Sequence, residues 1–190
     1  NLYLYCDNSP VIFVDYSGYG KTYVIYYNDP DNGFYNQAMN SPYYRISNVI
    51  LIGVRSIEDF INAWNGMSGS IDYIYLYLHG GEGVLYFKGE KIVFTGKNKI
   101  GIKEIRVNGL VYLFSCKGGA GKEGVNVAWT LAKLTSSKVY ACTGRVSYTK
   151  LFGIYYPRKA FDWGMFKTFY YERKFLWWGK IVPKSFSGQW

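Results

Sequence analysis

The stretch IDYIYLYLHGG, residues 71–81, decides the fold. An apolar and aromatic run, broken by one aspartate, climbs to the only histidine of the chain, His79, and stops on Gly80 and Gly81. A short, nearly continuous apolar run that ends on glycine reads as a parallel strand covered on both faces. Runs of the same kind occur at Thr22 to Tyr27, Asn48 to Val54, Val111 to Ser115 and Val139 to Cys142, with Tyr73 to Leu78 between them. Ser56 to Trp64 opens on a good N-cap and carries Glu58 and Asp59 in its first turn, so it reads as a helix, as does Gly124 to Leu134. LYFKGEKIVF reads as a small hairpin turning at Gly89-Glu90. Strands alternating with helices predict an α/β protein with a doubly wound, mostly parallel sheet flanked by helices. Sites in such folds lie beyond the carboxyl ends of the strands.

His79 is therefore predicted at such a strand end, beside a loop without side-chain bulk. A lone histidine there is ordinarily a structural residue bonded to a carbonyl, unless a partner for it exists. The fourth run ends VYLFSCKGGAG, and Cys116 stands at its end before a glycine pair, as His79 stands at the end of the third. If the two strands are neighbours, both side chains emerge at one edge of the sheet. An imidazole can take the thiol proton to create the attacking thiolate and return it to a leaving group, and bare glycine N–H groups can hold an oxyanion.

Composition narrows the alternatives. The 190 residues suffice for one domain with a core of its own, and the three cysteines, Cys6, Cys116 and Cys142, form neither a disulfide framework nor a zinc-ligand spacing. A reduced working compartment, no cofactor and no metal are expected, with Cys142 a small core residue. No apolar run approaches the roughly 20 residues of a membrane span. The start at Asn1 lacks the regions of a signal peptide and suggests a piece of a longer chain. The net charge is +9, and residues 151–190 hold seven Lys or Arg against Asp162 and Glu172. That tail is dense in rings, including Trp163, Phe166, Phe169, Tyr170, Trp177 and Trp178. Basic groups between rings suit nucleic acid, but alternating rings also mark half-buried antiparallel strands. A C-terminal aromatic strand region, packed in the core or against a partner, is the expectation, with nucleic acid not a partner.

The opening residues carry a resemblance. Asn1-Leu2-Tyr3, Tyr5-Cys6, Asn8 and Pro10-Val11, followed by Asp15 and Ser17-Gly18, resemble the last residues of an RHS (YD-repeat) core. In that family this segment closes a shell and precedes a variable C-terminal toxin. The resemblance implies a boundary, with residues 1–20 the end of the core and processing linker and residues 21–190 the toxin domain. It also implies self-cleavage near that point, although Tyr16 stands where the family usually has proline.

A second resemblance, over residues 71–145, is to the caspase-like cysteine peptidases. Their mark is a hydrophobic strand ending in His-Gly, a hairpin and helix, and a second hydrophobic strand ending in Cys. YLYLHG, LYFKGEKIVF with IGIKEI, and VYLFSC stand in that order here. The resemblance implies His79 as general acid and base, Cys116 as nucleophile, and the backbone N–H groups of Gly80 and Cys116 as oxyanion donors; nothing marks the primary specificity pocket. Together the two resemblances imply a secreted toxin acting in the cytoplasm of a target cell on protein substrates, with an RHS shell and an immunity protein as partners.

Two rivals come from other classes. GAGKEG, residues 119–124, satisfies G-x-G-x-x-G between a strand and a helix and would suit a pyrophosphate, hence an NAD-binding or NAD-consuming toxin. Its first glycine falls past the strand end, and the next strand, KVYACTG, lacks an acid for the ribose. A non-catalytic caspase-like binding module is the other, and a substituted dyad would have favoured it.

Overall fold

The computed structural model describes residues 20–29, 33–41, 48–94, 100–122, 124–159 and 164–170. The strands are β1 (Lys21–Tyr27), β2 (Val49–Val54), β3 (Ile71–Tyr77), β4 (His79–Gly81), β5 (Val84–Phe87), β6 (Glu90–Val93), β7 (Leu110–Phe114), β8 (Lys138–Cys142), β9 (Val146–Leu151), β10 (Ile154–Lys159) and β11 (Phe166–Phe169). The helices are α1 (Phe34–Met39), α2 (Ile57–Gly66) and α3 (Val127–Thr135).

A six-stranded sheet in the order β11-β8-β7-β3-β1-β2 forms the centre of the molecule. β2, β1, β3, β7 and β8 run parallel, and β11 closes the β8 edge antiparallel to it. Alternation sorts the strand side chains by face. Ile74, Leu76, Val111, Leu113, Val139 and Ala141 form an aliphatic face that is completely buried. The other face is aromatic: Tyr75 stacks on Tyr112 at 4.7 Å, and Tyr140 on Phe166 at 5.0 Å. Each such pair adds about 1 kcal/mol beyond the area it buries.

All five apolar runs form strands of the sheet, with ends shifted by one or two residues. The expected hairpin turns at Lys88 and Gly89 rather than at Gly89-Glu90, since Phe87 pairs with Glu90. It is also the second half of a three-stranded meander, β4-β5-β6, that begins at His79 itself. The helix that the caspase-like resemblance implies over IGIKEI, residues 100–105, is absent. That segment is irregular, with a bend at Ile100 and Gly101, because the groups an isolated helix would satisfy internally are taken by its neighbours. Lys103 N–H donates to the Asn65 side chain, Ile105 N–H to the Leu134 carbonyl, and the Lys103 carbonyl accepts from the Trp64 indole. The segment is a strap tying α2 to α3. The first twenty residues apart from Gly20, together with Trp163, Trp177 and Trp178 of the tail, lie outside the described residues.

Candidate active site

The order β2-β1-β3 means that the chain leaves β1 on one side and returns past it on the other. In doubly wound sheets the crevice opens at that reversal, outside the carboxyl ends of the strands. His79 stands there. Its ring meets Tyr27, the last residue of β1, edge-on at 5.4 Å, and Phe34, the first residue of α1, at 4.8 Å. The two rings desolvate one side of an imidazole whose other side is exposed. Burial pulls its pKa below the ordinary histidine value, and the nearby Asp29 carboxylate pushes it back up by a smaller amount.

β3 and β7 are hydrogen-bonded parallel neighbours, with Tyr77 opposite Phe114. His79 and Cys116 each follow that last pair by two residues, so the imidazole and the thiol leave adjacent strands at the same edge. The backbones beside them touch: a Cβ placed on Gly80 would lie 2.8 Å from the Ser115 side chain and 3.0 Å from the Cys116 carbonyl oxygen. Glycine is required at this contact. The half-buried Cys116 thiol points to the carbonyl of Val146, Sγ to O 3.9 Å, so β9 roofs it.

Two backbone N–H groups near the thiol make no backbone hydrogen bond among the described residues. Glu82 and Gly83 form a two-residue turn between Gly81 and Val84, which makes that flanking pair hydrogen-bonded and the next pair, Gly80 and Leu85, non-bonded. The Gly80 N–H therefore points away from β5. In the loop after β7 the bonds run from Lys117 N–H to Gly144, from Gly118 to Ser115, from Gly119 to Cys142 and from Ala120 to Lys117, none of them from Cys116. Lys117 itself is held at φ 54°, a left-handed conformation uncommon outside glycine. Strain of this kind beside a thiol is a mark of functional loops.

Four groups at this edge escaped the sequence reading. Asp29 carried a usable signal, since it follows the apolar run of β1 as His79 follows that of β3. Phe34, Tyr148 and the Val146 carbonyl carried none, because they arrive on elements from distant parts of the chain. Tyr148 packs on Tyr77 at 6.2 Å and on Phe34 at 6.4 Å, and its buried hydroxyl has no hydrogen-bond partner among the described residues. Burial, with Tyr77 and Cys116 nearby, pushes that phenol well above its ordinary pKa. Cys142 is fully buried in β8.

The glycine loop 119–124 is occupied by the protein itself. A Cβ on Gly119 would strike the Phe169 ring at 2.6 Å, and one on Gly121 would meet the Glu82 side chain at 3.0 Å. At the start of α3, Trp129 N–H donates to the Asn126 side chain and Ala128 N–H to the Gly118 carbonyl. Several donors that a pyrophosphate would use, those of Gly119, Ala120, Ala128 and Trp129, are bonded within the protein, and the Glu82 carboxylate stands beside the loop. Among the described residues no group of three or more His, Cys, Asp or Glu side chains comes together to hold a metal. A shallow cavity of about 450 Å³, lined by Asn108, Ser137, Lys138 and Tyr170, lies at the amino ends of β7 and β8, the opposite edge from His79. Comparisons with protein-family models, curated proteins and solved structures find no match to this chain.

Proposed function

We propose that the chain is a caspase-like cysteine endopeptidase, the effector tip of an RHS polymorphic toxin that cleaves proteins in the cytosol of a target cell. A cognate immunity protein guards the producer. The observation that carries this reading is the adjacency of β3 and β7, since the only imidazole of the chain and the Cys116 thiol each follow one of these neighbouring strands at the same edge of the sheet. The unspent Gly80 and Cys116 N–H groups support it, and the blocked glycine loop disfavours a dinucleotide.

In this mechanism the thiol leaves the Val146 carbonyl and gives its proton to neutral His79. The thiolate attacks the peptide carbonyl carbon, a C–S bond forms, and the oxygen takes the negative charge beneath the two N–H donors. His79 then protonates the departing amine as the C–N bond breaks. It next takes a proton from water, whose oxygen attacks the thioester carbon; the C–S bond breaks to release the acid, and His79 returns the proton to the thiolate.

Cys116→Ala and His79→Ala are each expected to abolish peptide hydrolysis and toxicity in cells without immunity, at the same cost as the double variant, because the pair acts as a unit. Alkylation of the native protein should label Cys116 and inactivate it in parallel. Undiminished killing by a folded Cys116→Ala protein would remove the peptidase reading.

A further inference from the structure

The β9–β10 hairpin is built against the preference of its own turn. Phe152 and Gly153 form the turn with φ of 49° and 82°, the left-handed pair that Asn-Gly suits best. A bulky side chain at positive φ is rare, and this ring is also 95 % exposed. A backbone cost and a solvation cost thus fall on one residue, and nothing among the described residues offsets either.

The residues behind Phe152 are graded. Leu151, 53 % exposed, pairs with Ile154 at the tip. One step back Lys150 pairs with Tyr155, its ammonium 5.5 Å from the phenol ring. Behind these Thr149 faces the exposed Tyr156, and Ser147 faces the exposed Arg158. Residues 145–158 contain Arg145, Lys150 and Arg158 and no acid. An apolar tip, a belt of phenol and ammonium, then guanidinium is the order in which a chain passes from hydrocarbon through headgroups to water. β10 is anchored from behind, with Tyr155 N–H bonded to the Asn40 carbonyl after α1.

We propose that this hairpin docks the protein on an anionic membrane surface, with Leu151, Phe152 and Ile154 at the acyl boundary and Lys150 and Arg158 among acidic headgroups. A protein socket shaped to one phenylalanine would not call for three graded layers or for the exclusion of acids. The docking is peripheral, since no helix among the described residues is long and apolar enough to cross a membrane. It is also independent of the peptidase reading, although Val146 at the base of the same hairpin roofs the thiol.

The test is co-sedimentation of the whole chain with phosphatidylcholine vesicles, with and without phosphatidylserine. Binding is expected only to the anionic vesicles, weakening with salt. Phe152→Asn gives the turn the residue it favours, so the fold should hold while vesicle affinity falls about tenfold to a hundredfold. Lys150→Gln should lose about fivefold. Cys116→Ala should bind as the native chain does, which separates docking from catalysis. Native protein that stays in the supernatant, or Phe152→Asn that binds undiminished, overturns the proposal. In the first of those cases a protein partner would remain as the reason for the exposed ring.

Discussion

At the scale of single residues, His79 has its properties set by two rings and one carboxylate. Tyr27 and Phe34 strip water from the imidazole and disfavour its charged form, while Asp29 favours it less strongly. The neutral ring persists at a pH where a free histidine is already half protonated. For the proposed peptidase the acid limb of kcat/KM is therefore expected below about pH 6.5. Asp29→Asn removes the group that raises the pKa, so the limb should move further down; a limb that moves up would mean that Asp29 does not act on the ring. Stability carries the same sign. Between the folded pKa and about 6.5 the unfolded chain binds the proton and the folded one does not, so stability rises with pH across that window. The contribution of His79 is complete above it and lost as pH falls through it. His79 and Cys116 were legible because each is a chemically distinctive residue at the end of an apolar run. The Phe34 ring that helps to tune His79 was not, since nothing local to Phe34 says which strand end it will reach.

At the scale of elements, legibility follows the strength of the local signal. α2 was readable because Ser56 and Asp59 form a reciprocal capping box: the hydroxyl accepts from Asp59 N–H, and the carboxylate accepts from Ser56 N–H. Ser56→Ala is expected to cost about 1 kcal/mol, read as a lower denaturant midpoint at unchanged slope. An unchanged midpoint would mean that packing of Phe60 and Trp64 alone holds the helix. α1 gave no such signal. It has six residues, starts from Gly33 at φ 68° without a side-chain cap, and has no acid in its first turn. The β9–β10 hairpin was missed for the opposite reason, because Phe-Gly is a poor advertisement for a turn that Asn-Gly usually makes. IGIKEI failed because its fate is tertiary: Asn65, Trp64 and Leu134 compete successfully for its backbone. The aromatic tail was read in part. Phe166 stacks on Tyr140 and Phe169 is buried against Gly119, so these two rings are spent on packing and are not free to stack on bases.

At the scale of the whole molecule, the parallel sheet separates two events that the proposed reading assigns to one chain. His79 and Cys116 sit at the carboxyl edge, whereas Gly20 enters β1 at the amino edge, its backbone packed against the carboxylate of Asp72 near the start of β3. β1 runs from Lys21 to Tyr27, so the two edges are about 20 Å apart. Asp15, near which the RHS resemblance implies a cut, lies five residues before Gly20, a length of chain that spans at most about 17 Å even when fully extended. His79 and Cys116 lie beyond the far ends of their strands, which widens the gap. On the proposed reading, a dyad anchored in the sheet would not reach such a junction within one molecule, and release would fall to another centre. The expectation is that Cys116→Ala in the full-length chain is processed at the junction as efficiently as the native protein while losing hydrolysis of added peptides. Loss of both together in a folded Cys116→Ala protein, at a rate independent of protein concentration, would show that the junction does reach the thiol. Loss that depends on concentration would instead mean that one molecule cuts another, which the geometry permits.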